Sequence, residues 1–233
     1  MKKLKIIWLI LFVITTDIFP QIKLISVKGE VKIRKGVSEE WQSVKPTSLL
    51  NLEDAISIGL KSTAVIEIDG QRKITLPEQS IVEISDLREL SKDELLLKLA
   101  MDRILAVPQQ DRKNDLIPAP SAVIHGEKKS NSELGIKKPN HDVAIKTLNG
   151  AKFLYGNNYY GTCALRIKEV LRLYPDLPKS TDYKIMTALA LEKAELYEEA
   201  LNELYLLDPG NLTAEQKSFV QSKIEKLKKK FSD

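Results

Sequence analysis

The chain has 233 residues, 43% of them hydrophobic and 29% charged, which is room for two modest domains with cores of their own. Its formal net charge is +4, but three lysines and one aspartate lie within residues 1–20, so the remainder carries only +2 and offers little electrostatic footprint for nucleic acid. Cys163 is the single cysteine, which excludes an internal disulfide and a multi-cysteine metal site and leaves a packed helix as its expected place.

The chain opens with Lys2, Lys3 and Lys5, followed by an unbroken apolar run over residues 6–14 that Thr15, Thr16 and Asp17 close. The run is too short for a relaxed membrane span, and the layout is that of a secretory signal peptide. Residues 1–20 are therefore expected to be removed, leaving a periplasmic or secreted chain that starts near Gln21. No small-x-small pair marks a cleavage point before Gln21, so an uncleaved inner-membrane anchor facing the periplasm stays open as the alternative. A lipoprotein is not expected, because no cysteine lies near the segment.

Residues 22–87 read as short strands with turn signals every 8–12 residues, the pattern of a small antiparallel sandwich or barrel. Residues 22–27 form the first strand. Lys28-Gly29 turns the chain, and residues 30–34 return with Val31 and Ile33 on one face. Trp41 and Val44 fit a short strand, and residues 54–58 another. The strongest local signal is a hairpin. Ala64, Ile66 and Ile68 alternate with polar or outward positions, as do Ile74 and Leu76, and Ile68-Asp69-Gly70-Gln71 joins the two runs. Asp-Gly at the centre predicts a two-residue type I′ turn, since both central residues need positive φ. Pro77 to Ser80 turns into a last strand over residues 81–84.

The ordered set Gly29-x-Val31, Trp41-x-x-Val44, Leu52-x-Asp54-Ala55-Ile56-x-Ile58-Gly59, Ser62-x-Ala64-x-Ile66-x-Ile68-Asp69-Gly70, Ile74-x-Leu76 and Ser80-x-Val82-x-Ile84 resembles a FecR-type domain over about residues 23–87. Glu53 departs from it, standing where the family usually has glycine. The resemblance implies an extracytoplasmic β module. In its best-known members the module relays a receptor signal to a sigma factor, through a cytoplasmic segment and a membrane helix placed before it. Only five residues precede the apolar run here, so that signalling role is not expected to carry over.

Ser91-Lys92-Asp93-Glu94 has the form of a capping box. Behind it Leu95, Leu96, Leu99, Ala100 and Leu105 sit at helical spacing, which predicts a leucine-rich helix within residues 88–107 that packs on the β module or extends from it. Residues 108–140 contain Pro108, Pro118, Pro120 and Pro139 and no sustained periodicity, so they are expected to be a flexible linker. His125 lies in it and His141 just beyond; neither placement suggests a metal site.

Over residues 141–231 the period switches to that of helices. Ala144, Leu148, Ala151 and Tyr155 form one stripe. Tyr160, Ala164, Ile167, Leu171 and Tyr174 form a second, and Tyr183, Met186, Ala190, Ala194 and Tyr197 a third. Ala200, Leu204 and Leu207 make a short fourth. Thr213-Ala214-Glu215-Gln216 caps a fifth that carries Val220, Ile224, Leu227 and Phe231. Leu173-Tyr174-Pro175 recurs as Leu207-Asp208-Pro209. Tyr160-Gly161-Thr162-Cys163 and Tyr197-Glu198-Glu199-Ala200 open the second helix of each pair, and Ala151 and Ala188 stand where paired helices need a small residue. This resembles two degenerate tetratricopeptide repeats and a terminal capping helix. An unrelated antiparallel helical bundle is the alternative. The four lysines among residues 226–230 read as the solvated end of the last helix, with an anionic-lipid or cell-wall contact as the other reading.

The expected fold class is thus α+β in separate domains: a small antiparallel β module, a flexible linker, then an all-α helical array. No phosphate loop, Gly-x-Ser-x-Gly elbow or His-Glu-x-x-His occurs, so no catalytic residue, cofactor or metal is expected and the chain reads as non-enzymatic. The expected role is an exported adaptor or scaffold in the bacterial envelope, with protein partners held by the helical groove. The repeat resemblance places Lys152, Tyr155, Leu189 and Glu192 on that groove. A tether of about 33 residues spans roughly 30 Å, which lets two modules engage separate partners. The competing role is cell-wall or carbohydrate binding by the β module, for which Trp41 is the aromatic at hand.

Overall fold

The computed structural model describes residues 21–38, 40–106 and 141–230. The expected signal segment, the expected linker and Phe231 lie outside them. Among the described residues the strands are β1 (Ile22–Lys28), β2 (Val31–Arg34), β3 (Trp41–Ser43), β4 (Leu49–Leu50), β5 (Ala55–Ile58), β6 (Thr63–Ile68), β7 (Arg72–Leu76) and β8 (Ser80–Glu83). They form two antiparallel four-stranded sheets, in the orders β4-β1-β6-β7 and β3-β2-β5-β8. The helices are α1 (Lys92–Ala106), α2 (His141–Gly156), α3 (Tyr160–Leu173), α4 (Ser180–Lys193), α5 (Tyr197–Tyr205) and α6 (Ala214–Lys229). Contacts divide the chain into two compact units, Met1–Gln79 and Ser80–Asp233. The division falls between β7 and β8, whereas the sequence placed the end of the β module at residue 87 and the boundary in residues 108–140.

In the first unit, alternation does what the period-two pattern predicts. Ile22 and Leu24 of β1, Ala64, Ile66 and Ile68 of β6, and Ile74 and Leu76 of β7 are buried, as are Val31 and Ile33 of β2 and Ile56 and Ile58 of β5. Each fully buried isoleucine or leucine contributes about 2 kcal/mol over leaving it in water. The expectation that residues 30–34 fold back on the first strand is corrected. β1 pairs with β4 and β6, while β2 pairs with β3 and β5, so the chain changes sheets at the corner. Gly29 makes that corner at φ +80° and lies against Ser62, whose Oγ accepts from the Glu30 N–H at 2.8 Å. A Cβ on Gly29 would stand 2.3 Å from that oxygen. Gly29→Ala is therefore expected to cost about 2–4 kcal/mol, from a left-handed backbone plus a clash, read as a lowered urea midpoint of the full chain.

The central hairpin has the predicted signs at its tip, with φ +54° at Asp69 and +68° at Gly70, and Gln71 N–H donates to the Ile68 carbonyl at 3.2 Å. Its loop is one residue longer than expected. Ile68 stands opposite Arg72, Ile66 opposite Ile74 and Ala64 opposite Leu76. A two-residue loop would set Lys73 and Thr75 opposite Ile66 and Ala64 and turn Ile74 and Leu76 to the wrong face, because a one-residue slip flips every side chain. Burial of both apolar sets selects the longer loop. β4 was not foreseen, and Asp54, read as the start of a strand, instead sits buried before β5, accepting from the N–H groups of Gly36 at 3.2 Å and Asn51 at 2.9 Å.

In the second unit, β8 runs into a 3-10 turn at Ile84–Asp86, where a strand was expected to continue through Ile84. α2 packs on β8, and each helix from α2 to α5 packs against its successor. The turns after α2 and α4 are built alike. Asn158 and Glu195 take left-handed φ, and the N–H groups of Tyr159 and Leu196 reach back to the carbonyls of Leu154 and Leu191 at 3.0 and 2.9 Å. This six-to-one bond answers the orphan carbonyls of a helix end, and the apolar residue after the left-handed one is buried in each case. The buried columns differ from the tyrosine-bearing stripes read from the sequence. Leu148, Ala151 and Leu154 in α2, Cys163, Ala164, Ile167 and Val170 in α3, and Ala188, Ala190 and Leu191 in α4 form the core. Tyr155, Tyr160, Tyr174, Tyr183 and Tyr197 are half-buried. Cys163 is fully buried, and burial pushes its thiol up to about 12, which leaves it inert as a nucleophile. Both halves of the Thr213–Gln216 capping box are present. At Ser91 only one half forms. Glu94 N–H donates to Ser91 Oγ at 3.2 Å, while the Glu94 carboxylate is held by Arg88.

α1 packs against α3 in this second unit. Gly161 permits the approach, since its Cβ position lies 3.1 Å from Leu95 Cδ2. Ion pairs run along the same helix: Lys92 with Glu195 at 2.6 Å, Asp102 with Arg172 at 3.2 Å, and Arg103 with Glu199.

Candidate functional site

The four residues expected on a groove lie on α2 and α4, and the structure gives three of them partners inside the protein. Lys152 is exposed and sets its ammonium 5.0 Å from the Tyr183 ring centroid, a cation–π contact. The Tyr155 ring stands edge-on to Tyr160 at 5.2 Å, and burial, then Tyr160, Cys163 and Glu192, raise its hydroxyl pKa. Glu192 bonds Lys223 of α6 at 2.6 Å. Leu189 is half-buried. A shallow cavity of about 280 Å³ opens nearby between α4 and α6, lined by Asp182, Ile185, Glu215, Gln216 and Phe219. The lysines read as a solvated tail are partly engaged as well, with Lys230 lying 3.9 Å from the Tyr197 ring and Lys228 5.6 Å from that of Tyr205.

A more pronounced surface lies on α1. Leu95 and Leu99 are buried against the rest of the unit, but Leu97, Met101, Ile104 and Leu105 are between 56% and 73% exposed. Their spacing of four, three and one residues puts them on one stripe, on the side of the helix away from Leu95 and Leu99. Of the five residues expected to form the packing stripe, Leu96, Ala100 and Leu105 are exposed and only Leu95 and Leu99 are buried. The signal was in the sequence. A helix with leucines on more than one side has more hydrophobic surface than one neighbour covers, and the main packing of α1 is against α3.

The third feature is a buried ionic knot that the sequence did not reveal. Arg166 of α3 donates Nε–H to Asp86 Oδ2 and Nη2–H to Asp86 Oδ1, both at 3.0 Å. It also donates to Glu83 Oε1 at 3.1 Å and Oε2 at 2.8 Å, and to Glu169 Oε2 at 2.7 Å. One guanidinium thus serves three carboxylates. Thr162 Oγ1–H donates to the Asp86 carbonyl at 2.9 Å, so α3 grips both the side chain and the backbone of the turn that follows β8. Burial by itself works against the charge of Arg166, but Asp86, then Glu83 and Glu169, hold its pKa above the ordinary value. Asp86 is pushed up to about 6, by burial first; Arg166 opposes the rise and Glu83 and Glu169 add to it. The partners are 80 and 83 residues apart along the chain, beyond the reach of any local motif.

Among the described residues, no group of three or more His, Cys, Asp or Glu side chains is arranged to hold a metal ion. No helix there is long and apolar enough to cross a membrane. Comparison of the chain with protein-family models, with curated proteins and with solved structures finds no match.

Proposed function

We propose that this protein is a non-enzymatic adaptor of the bacterial envelope that binds a protein partner through its helical unit. The observation that carries the reading is the uncovered stripe Leu97, Met101, Ile104 and Leu105 on α1. A contiguous apolar surface of this kind on an ordered helix is costly in water, and such patches mark interaction sites. An amphipathic stripe at i, i+4, i+7 and i+8 is also the form in which one helix presents itself to the groove of another protein. The envelope location rests on the basic start and short apolar run of residues 1–20. The FecR-type resemblance of the β-rich segment agrees with an extracytoplasmic place. In this reading α1 is the principal contact, and the face of Lys152, Tyr155, Leu189 and Glu192 supplements it.

Photocrosslinking tests the proposal. A benzoylphenylalanine at position 101 of the full chain, irradiated in cells, should give a discrete adduct with one protein in the envelope fraction. Leu97→Glu with Ile104→Glu should reduce that adduct at least tenfold, since interface hot spots are worth about 2 kcal/mol or more each. An adduct that survives both charges removes α1 from the interface. No adduct, with the wild-type chain retained on peptidoglycan and released by Trp41→Ala, would replace the adaptor by the cell-wall reading.

A further inference from the structure

The knot around Arg166 carries a formal excess of two negative charges over positive ones. Three carboxylates converge on a single guanidinium, and Asp86 and Glu83 both accept from the same Nη2, at 3.0 and 2.8 Å. The two carboxylates are thus neighbours on one nitrogen, and the Asp86 and Arg166 side chains are only 12% and 14% exposed, so water screens them little. The charged and titratable groups facing Asp86 are Glu83 and Arg88 on its own segment and Arg166, Glu169 and the Cys163 thiol on α3. Only Asp86 lies both at the centre of the knot and deep in the unit. Glu83 and Glu169 are more exposed, at 32% and 42% of their side chains.

We propose that this knot is a proton-responsive clasp: mild acid places one proton from solvent on an Asp86 carboxylate oxygen and thereby strengthens the fold of the Ser80–Asp233 unit. Protonation forms one O–H bond and removes one buried negative charge. Arg166 keeps both bonds to Glu83 and its bond to Glu169, and Thr162 keeps the Asp86 carbonyl, so the turn stays attached to α3. The direction follows from linkage. Burial raises the Asp86 pKa from 3.8 to about 6 in the folded chain. The stability due to its proton is fully present below about pH 3.8 and is lost as pH rises through about 6. Unlike carboxylates that are stabilised ionised, Asp86 makes the folded unit more stable as the medium acidifies. An exported chain would meet such changes directly, although the clasp works in any compartment.

Urea unfolding of the full chain, followed by the helical circular-dichroism signal, tests it. Between about pH 7.5 and pH 5, Asp86 should raise the folding equilibrium constant about tenfold. Asp86→Asn, of the same size and always neutral, should lose this tenfold gain and should unfold at a higher urea concentration than wild type at pH 7.5. Carbon-detected NMR on the wild-type chain gives a second readout that needs no variant to fold. Its Asp86 carboxyl carbon should titrate near pH 6. A carboxyl that titrates below about 4.5, or pH profiles of wild type and Asp86→Asn that run parallel, would overturn the proposal.

Discussion

Gly150→Ala is expected to be the most damaging single methyl group that can be added to this protein. The Cβ of an alanine at position 150 would stand 1.9 Å from the carbonyl oxygen of Ile81 and 2.9 Å from its carbonyl carbon. These are backbone atoms of β8, so no rotamer relieves the clash. α2 must move off the strand by an ångström or more, and the buried contacts of Leu148, Ala151 and Leu154 move with it. Overpacking of a flexible core costs about 1–3 kcal/mol; a rigid backbone contact with this overlap should exceed that range and reach roughly 4 kcal/mol. Gly156→Ala is the control, because nothing lies within 4 Å of its Cβ position. It should fall within about 0.5 kcal/mol of wild type. Urea midpoints of the two full-length variants make the comparison, and equal midpoints would mean that α2 and β8 are not in backbone contact.

Arg166→Met should come next in severity. It keeps the length of the side chain and removes the only cation that the knot's five hydrogen bonds share. Glu83, Asp86 and Glu169 are then left facing one another in a half-dry site. Breaking a buried pair by removing one partner costs about 3–5 kcal/mol, because the remaining charge stays buried without compensation. Two companion variants separate charge from packing. Arg166→Lys restores the charge but not the planar fork, and should recover only part of the loss. Arg166→Met combined with Asp86→Asn removes the deepest carboxylate as well, and should be more stable than Arg166→Met alone at about pH 7.5. If the double variant is instead the sum of the two single ones, the residues do not act as a unit. At about pH 5 the gap between Arg166→Met and wild type should narrow, since Asp86 is then free to take a proton and shed its unpaired charge.

The knot and the clasp also explain why the chain's electrostatics could not be read from composition. Its ordinary surface pairs, such as Lys92 with Glu195, are exposed at both ends and add little to stability. The pairs that decide stability are those removed from water, and burial is a property of the fold.

What the sequence determined by itself is the local character of each segment. Alternation in residues 63–76 made a hairpin, and Asp69-Gly70 supplied the two positive φ values at its tip. The Thr213–Gln216 box started α6, and the helical period over residues 141–227 gave an all-α array. These features depend on atoms within a few residues of one another, so neighbours suffice to predict them. The loop length of the hairpin was legible as well, from the parity of Ile66 and Ile74, but only once burial of both faces was weighed above the usual turn. The tertiary structure decided the rest. It sent β2 to the other sheet, brought Gly150 onto Ile81, laid α1 on α3 with one apolar stripe covered and one bare, and brought Glu83 and Asp86 to the Arg166 guanidinium. Each of these is a choice of partner across a long stretch of chain. Closing a longer loop adds little to the entropy cost, so spacing along the sequence scarcely favours one distant partner over another. The choice falls to which faces can be buried together with their charges and polar atoms satisfied, and that is settled only when all the elements are in place.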